Sequence, residues 1–219
     1  MIKSPLVIYG YGKEGKSTES FFSKNYPELK LYICDQNKVN KENYIDEEEL
    51  FSLNFQTLVK SPGIPRHNQI VKKAIKTNKD ITSLTNIFFA NCVGRTIGIT
   101  GTKGKSTTSA LLYSILKQKF DDVRLVGNIG NPALNEIENH NEKTIFIIEM
   151  SSYQLEDLEK SPDLAIILEV FPEHLDYHQN FENYLKAKLN ICKNKNTKVI
   201  AHKSHYCLLY TSPSPRDRG

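Results

Sequence analysis

The chain has 219 residues, a formal net charge of +4, 39% hydrophobic residues and 25% charged residues. This is the composition of an ordinary globular protein with one large or two small domains, which excludes disordered and collagen-like proteins. The small, dispersed charge and the presence of only five arginines exclude nucleic acid as an expected partner. No apolar run reaches the roughly 18 residues that a membrane span needs, so no membrane insertion is expected.

The start of the chain and its cysteines indicate the compartment. The first apolar run passes directly into glycines and has no small-residue cleavage site, so it predicts a buried strand and not a signal peptide. The four cysteines form no Cys-x-x-Cys pair and are expected to be reduced thiols. Both features favour a cytoplasmic protein.

Apolar runs alternate with segments of helical period along the chain, which predicts an α/β fold with parallel sheets. The first unit contains predicted strands at residues 6–9 and 29–34, with a helix over about 17–25 between them. A strand at 57–60, a helix over about 68–76 and a short segment at 81–91 follow. We expect residues 1–91 to form the first domain.

The first glycine loop fits two phosphate-binding motifs at once. Residues 10–17 read GYGKEGKS, which satisfies both G-x-G-x-x-G and G-x-x-x-x-G-K-S. Asp35 follows Gly15 by 20 residues, where a Rossmann-like fold places the acid that binds a ribose. Both motifs bring backbone N–H groups to a phosphate, so the loop predicts a nucleotide site without deciding which nucleotide binds. A tight turn without a ligand is the alternative.

A second α/β unit is predicted for residues 92–203. Its predicted strands lie at 96–100, 123–126, 144–149 and 164–169, and its predicted helices at about 107–118 and 181–192. The runs at 144–149 and 164–169 are continuously apolar, as expected for strands covered on both faces.

The second glycine loop is the stronger phosphate signal, because a predicted strand enters it and a predicted helix leaves it. Residues 98–107 read GITGTKGKST. Ile99 stands where the full P-loop consensus has glycine, so the match is to the shorter G-x-x-G-K-S. In such a loop backbone amides hold the β-phosphate, Lys105 neutralises phosphate charge and Ser106 reaches a magnesium ion.

Polar residues follow the next strands. Glu149 ends a buried strand at the edge where ligands of open α/β sheets bind, and it is placed to hold magnesium, although many strands end in a solvated glutamate. Ser151 and Gln154 add a hydroxyl and an amide nearby. Taken alone, His174 and Lys188 are most simply explained as surface residues.

The last segment differs in composition from the rest of the chain. Residues 211–219 read TSPSPRDRG and contain two Ser-Pro steps and two arginines. We expect residues 204–219 to be a disordered tail or a foreign or frameshifted end.

Five short segments, taken in order, resemble the Mur ligases of bacterial cell-wall synthesis: GITGTKGKSTT, GNIG, EMSSYQL, PEHLDYH and YLKAK. The resemblance is closest to the members that add D-glutamate to UDP-N-acetylmuramoyl-L-alanine. It implies a Rossmann-like first domain that holds the uridine diphosphate of the substrate, and a P-loop central domain that binds ATP. The family's members are longer and carry a further domain, so the resemblance implies an N-terminal fragment that is inactive alone.

The resemblance also implies roles for individual residues. Substrate binding is implied for Gly10, Gly12, Gly15, Lys16, Ser17, Asp35, Ser61, Pro62, Gly63, Asn128, Ser151 and Gln154. ATP binding is implied for Gly101, Thr102, Lys103, Gly104, Lys105, Ser106 and Thr107. Two magnesium ions are implied at Ser106, Glu149, His174 and Lys188, with Lys188 carbamylated. The implied catalytic residues are Lys105, His174 and Lys188.

The implied reaction transfers a phosphoryl group from ATP to the substrate carboxylate and lets the amine of D-glutamate attack the acyl phosphate. A cytoplasmic monomer is expected. Two residues depart from the family pattern: Glu169 stands where asparagine is common, and Glu173 where aspartate is common. The alternatives are a nucleotide-binding module without catalysis, another Mur ligase, and a dehydrogenase-like dinucleotide binder.

Overall fold

The protein, seen in a computed structural model that describes residues 2–201, contains two β-sheets flanked by helices. Within these residues every strand pairing is parallel. The predicted α/β fold with parallel sheets is therefore confirmed. The predicted tail at residues 204–219 lies outside the described residues.

The first sheet has the strand order β2-β1-β3-β4. Its central strand β1 is buried at every position, because helices cover both of its faces. The strands are Leu6–Tyr9 (β1), Leu31–Cys34 (β2), Thr57–Lys60 (β3) and Asp80–Thr82 (β4). The helices of this unit are Lys13–Asn25 (α1), Gln69–Lys76 (α2) and Leu84–Asn91 (α3), with a 3-10 turn at Leu50–Leu53.

The second sheet has the order β6-β7-β5-β8-β9. Its strands are Arg95–Thr100 (β5), Val123–Gly127 (β6), Ile145–Glu149 (β7), Leu164–Ile167 (β8) and Lys198–Ala201 (β9). Its helices are Lys105–Leu116 (α4), Ser152–Leu155 (α5), Leu175–His178 (α6) and Phe181–Leu189 (α7). Two 3-10 turns, Ala133–Glu136 and Asn190–Cys192, complete the unit.

The two sheets share one of the three buried hydrophobic clusters of residues 2–201. Phe21 and Phe22 of α1 belong to the same buried cluster as Phe146 of β7. Phe88 of α3 meets Phe146 edge to face, with 5.1 Å between ring centroids. Aromatic pairs of this geometry stabilise beyond the area they bury, so the units are packed tightly together.

Each sheet brings two glycine-containing or polar loops together at its carboxyl edge. In the first sheet β1 lies between β2 and β3, so the loops after β1 and β3 are neighbours. In the second sheet β5 lies between β7 and β8, and the loop after β5 meets the loop after β8. Such points, where the chain switches direction across the sheet, are the usual ligand sites of open α/β sheets.

Several predicted boundaries are wrong by a few residues. Helix α1 begins at Lys13 and not near Ser17, because Gly12 is its N-cap and the glycine turn is short. Helix α4 begins at Lys105, two residues before the predicted start. Strand β8 ends at Ile167, and the last predicted helix ends at Leu189 and continues as a 3-10 turn. The sequence did not predict α5, α6 or β9, which are only four residues each.

None of the helices within residues 2–201 combines the length and apolar character that a membrane span requires.

Candidate functional site

The first glycine loop is fixed by the loop after β3. Gly10 has φ +93°, and a Cβ on it would lie 2.7 Å from the Ser61 Cβ. The Ser61 hydroxyl donates to the Gly10 carbonyl at 2.6 Å. Gly15 lies inside α1, where a Cβ would come within 2.3 Å of the Gly10 carbonyl oxygen. The structure therefore brings Gly10, Gly12, Gly15 and Ser61 together.

Asp35 joins this loop from the end of β2. Its carboxylate accepts the Tyr11 N–H at 2.6 Å and the Asn37 N–H at 2.9 Å. The acid thus stands at the turn where a bound nucleotide would place its ribose. Pro62 is half-buried and Gly63 is exposed, and both follow Ser61 in the adjoining loop.

Two residues of the first motif point elsewhere. Because α1 begins at Lys13, Lys16 lies in the helix, where it is exposed and has its Nζ 5.9 Å from the Tyr11 ring centroid. Ser17 is buried and its hydroxyl donates to Asn135 of the second unit at 2.5 Å. The structure does not bring Lys16 or Ser17 into the glycine turn, so the G-x-G-x-x-G geometry describes this loop and the P-loop geometry does not.

Gln154 contacts the first unit, and Ser151 fixes the position of Gln154. They form a capping box at the start of α5, in which each side chain bonds to the other's backbone. The Gln154 amide also donates to Glu14 of α1 at 2.7 Å. Burial raises the pKa of Glu14. These two predicted substrate residues therefore lie at the junction of the two units.

The second glycine loop has the geometry of a phosphate-binding loop. Gly101 has φ +155° and Gly104 has φ +83°, conformations that favour glycine. Gly104 is the N-cap of α4 and no side chain caps the helix. The Lys105 ammonium folds back to donate to the carbonyls of Gly101 at 3.0 Å and Thr102 at 2.8 Å. The loop thus combines the Lys105 ammonium, the exposed residues Ser106 and Thr107, and the positive end of the α4 helix dipole.

Thr102 and Lys103 differ in their surroundings. Thr102 is buried, with its hydroxyl 2.9 Å from the Tyr184 hydroxyl and bonded to the Phe171 backbone. Its side chain therefore anchors the loop and is not turned to solvent. Lys103 is exposed, 5.7 Å from the centroid of the Phe171 ring.

Lys188 is buried beside the second loop, contrary to the surface position that the residue alone suggested. It is 1% exposed and its Nζ donates to the Gly101 carbonyl at 2.8 Å. Burial, together with the nearby Lys105 charge, lowers the pKa of Lys188 to about 7. In residues 2–201 no carboxylate forms an ion pair with it. A large share of neutral amine at neutral pH follows.

Glu149 has one carboxylate oxygen engaged and one free. Its Oε1 accepts from the Asn128 amide at 2.8 Å, while its buried Oε2 has no partner among the described residues. Gly127 lies against this residue, since a Cβ there would be 2.3 Å from the Glu149 carbonyl oxygen. The free oxygen fits a magnesium ion, which is usually held by one or two carboxylates plus substrate phosphates and water.

His174 stands further out, as the N-cap of α6 with φ +53°. Its side chain is 43% exposed and its Nε2 lies 3.5 Å from Glu173 Oε2. Across residues 2–201 no three His, Cys, Asp or Glu side chains are grouped to hold a metal. His174 and Glu149 thus do not form a closed ligand set by themselves, and Ser106, Lys188 and phosphate oxygens would have to complete one.

Sequence reasoning missed several buried polar residues around this site. Tyr184 is 1% exposed, and its ring centroid lies 4.8 Å from Lys188 Nζ. His178 bonds to the Ser152 hydroxyl at 3.0 Å, and burial lowers its pKa to about 4. The spacing of Tyr184 and Lys188, one helical turn apart in YLKAK, was the available signal. Nothing in the sequence indicated that His178 is buried.

Comparison with known proteins agrees with this geometry. The family model for the Mur ligase middle domain matches residues 99–212. The chain is 40% identical over 147 residues to UDP-N-acetylmuramoylalanine--D-glutamate ligase of Streptococcus mutans, covering 67% of this chain and 33% of that protein. It is 32% identical over 203 residues to the enzyme of the same name from Caldicellulosiruptor bescii, covering 86% of this chain and 44% of that protein.

A solved structure shows the same fold. UDP-N-acetylmuramate:L-alanyl-gamma-D-glutamyl-meso-diaminopimelate ligase from Neisseria meningitides aligns with a TM-score of 0.57 at 14% identity, over 93% of this chain and 72% of that one. This chain spans less than half the length of the two curated relatives. The resemblance seen in the motifs is confirmed, and the chain belongs to the Mur ligase family.

Proposed function

We propose that this chain is the part of a D-glutamate-adding Mur ligase that binds UDP-N-acetylmuramoyl-L-alanine and the phosphates of ATP. The names of the curated relatives support D-glutamate as the amino acid. The first glycine loop, with Asp35 and residues 61–63, receives the uridine diphosphate. The second loop, residues 101–107, receives ATP. The substrate's muramoyl end then lies toward Asn128, Ser151 and Gln154.

One observation carries the ATP assignment. Lys105 and Lys188 both donate to the Gly101 carbonyl, at 3.0 and 2.8 Å, beside the uncapped start of α4. The Lys105 ammonium and the free backbone N–H groups in one place form a strong anion site. The absence of a capping side chain leaves these N–H groups available for phosphate.

In the proposed reaction a carboxylate oxygen of the substrate attacks the γ-phosphorus of ATP, and the bond to ADP breaks. The amine of D-glutamate then attacks the acyl phosphate, an amide bond forms, and phosphate leaves with loss of a proton from the amine. Lys105 stabilises the phosphoryl group throughout by position and charge. The buried loop anchor Thr102 keeps the Lys105 backbone in register.

Magnesium would be held by Ser106, Glu149 and His174, and two ions are proposed by resemblance. The metal supplies neutralisation of phosphate charge. Lys188 is proposed to become a carbamate, for which a neutral amine must add CO₂ and lose a proton. Its lowered pKa supports this step, as does the absence of an ion pair to Lys188 among residues 2–201. We further propose that the protein acts as a cytoplasmic monomer.

Calorimetry with UDP, Mg·ADP and NAD tests the proposal. UDP and Mg·ADP should bind together at separate sites, and NAD should bind more weakly than UDP. Gly12→Val should weaken UDP alone, whereas Lys105→Met should weaken Mg·ADP alone. Competition between UDP and ADP for one site, or preference for NAD, would contradict the assignment and favour a dinucleotide-binding module.

A further inference from the structure

The loop of residues 61–64 is held by the second unit through Tyr177. The Tyr177 hydroxyl lies 2.8 Å from the Pro62 carbonyl oxygen, 3.2 Å from that of Ile64 and 3.0 Å from Glu156 Oε2. A phenol has one proton, so it donates to one of these oxygens at a time. Burial raises the pKa of Tyr177, with Glu156 adding to the shift, so the group stays a neutral donor.

Lys60, at the end of β3, contacts the same loop. It is 1% exposed. Its Nζ donates to the Ile64 carbonyl at 2.6 Å and pairs with Asp157 at 2.8 Å and Glu156 at 3.6 Å. A buried lysine keeps its charge at low cost only when it is paired and hydrogen-bonded. The side chain therefore depends on oxygens from both units.

Tyr177 also belongs to α6, the four-residue helix that begins at His174. The N–H groups of Tyr177 and His178 bond to the His174 carbonyl at 3.2 and 3.0 Å. The Tyr177 ring packs against Tyr153, with 4.4 Å between centroids. One short helix thus carries both a contact to the proposed nucleotide loop and the proposed magnesium residue His174.

We propose that Tyr177 and Lys60 are positioning residues that couple the loop of residues 61–64 to helix α6, so that UDP-substrate and Mg·ATP bind cooperatively. This inference rests on the proposed function for the identity of the two ligands. A ligand that orders residues 61–64 also orders α6 through the Tyr177 hydroxyl, and Lys60 acts on the same hydroxyl through Glu156, which contacts both side chains. By linkage the reverse effect has the same size.

Amide hydrogen exchange tests the coupling without any ligand. Tyr177→Phe keeps the ring and removes the hydroxyl, and it should speed exchange of the Ile64 N–H, which bonds to Ser61, at least tenfold. Lys60→Met should speed exchange of the His178 N–H at least tenfold. Tyr113→Phe, on α4 outside this cluster, is the matched control and should change both rates less than twofold. If Lys60→Met does not fold, Asp157→Asn takes its place.

Faster amide exchange confined to the mutated unit in both variants would overturn the coupling.

Calorimetry then separates positioning from simple structural support. In the unaltered chain Mg·ADP should tighten UDP binding at least fivefold, whereas in Tyr177→Phe the factor should fall below twofold with each ligand alone unchanged. The coupling would also be overturned if Tyr177→Phe weakened the binding of UDP alone and of Mg·ADP alone while Mg·ADP still tightened UDP binding at least fivefold. If the unaltered chain binds neither ligand, the proposed function fails while the exchange experiment still decides the coupling.

Discussion

The two glycine loops contain the same Gly-Lys-Ser sequence but differ in structure. Both follow the central strand of a parallel sheet, and both lead into a helix whose N-cap is glycine with no capping side chain. Other helices are capped by Asn68, Ser83 and Asn180. In the first loop Gly-Lys-Ser lies inside the helix, whereas in the second it begins the helix. The starting residue of the helix therefore decides what the lysine can reach.

The buried lysines beside the two loops differ as well. Lys60, next to the first loop, has two carboxylate partners. Lys188, next to the second, donates to a carbonyl and forms no ion pair in the described residues 2–201. Lys60 is held by its ion pairs, whereas burial without an ion pair makes the charged form of Lys188 costly in folding free energy. Four predictions test these contrasts, from the largest effect to the smallest.

The largest effect is expected at Lys188. Its pKa is about 7 in the folded state and about 10.4 when unfolded, so between these values the unfolded state binds more protons and stability rises with pH. Below pH 7 the folded state carries the full penalty, on the order of 3–5 kcal/mol. The gain in stability of Lys188→Met over the unaltered chain should therefore be largest at pH 6.

Urea unfolding at pH 6 and pH 10 measures this difference. Lys186→Met, at an exposed position of the same helix, is the control. Its stability difference from the unaltered chain should be the same at both pH values. A constant gain for Lys188→Met across the range would show that Lys188 is not held neutral by the fold.

The next effect separates Gly15 from Gly12. A Cβ at Gly15 would stand 2.3 Å from a backbone oxygen, whereas one at Gly12 meets nothing within 4 Å. Gly15→Ala should lower the free energy of unfolding by about 3 kcal/mol, whereas Gly12→Ala should lower it by less than about 1 kcal/mol, since glycine caps a helix better than alanine. Thermal unfolding measures both. Equal stability for the pair would disprove the close approach of α1 to the Gly10 turn.

A smaller effect distinguishes the two lysines of the Gly-Lys-Ser sequences. Lys105→Met should weaken Mg·ADP binding by about 1.5–3 kcal/mol, the usual range for a hydrogen bond to a charged group. Lys16→Met should leave it nearly unchanged, since Lys16 is exposed on α1. Calorimetry compares the two, and similar losses would show that the first loop also binds ATP.

The smallest effect concerns the uncapped start of α1. Gly12→Ser should raise stability by a few tenths of a kcal/mol, because serine caps a helix slightly better than glycine. The same hydroxyl occupies an N–H that a phosphate would use, so UDP affinity should fall. Unfolding and calorimetry on one preparation measure both. A rise in UDP affinity would contradict the assignment of this helix end to phosphate.

Sequence reasoning predicted the strands well where an apolar run leads directly into a glycine or proline loop. Strands β1 and β3 begin and end at the predicted residues, and both sheets are parallel. The glycines of both loops and Asp35 lie where the G-x-G-x-x-G and G-x-x-G-K-S motifs put them, because motif spacing depends on local backbone geometry. The second motif that fits the first loop, in contrast, put Lys16 and Ser17 wrongly. Helices α5 and α6 are too short to produce a helical period, so their sequences gave no sign of them.

Burial of polar side chains was the harder part. Lys60 and Lys188 look like ordinary surface lysines, and each is 1% exposed. Their burial depends on carbonyls and carboxylates from segments distant along the chain, such as Gly101 for Lys188 and Asp157 for Lys60. No pattern within one segment records such contacts. The roles of the individual site residues stay predictions that the mutants above can decide.

The core shared by the two sheets determines how the chain loses its structure. Phe21, Phe22 and Phe88 belong to the first unit by sequence, yet they are buried in one cluster with Phe146 and Ile148 of the second. Heat should therefore melt residues 2–201 in one cooperative transition, with calorimetric and van't Hoff enthalpies equal. Cutting the chain near residue 92 would separate the sheets but divide their core, leaving each half with an exposed aromatic face.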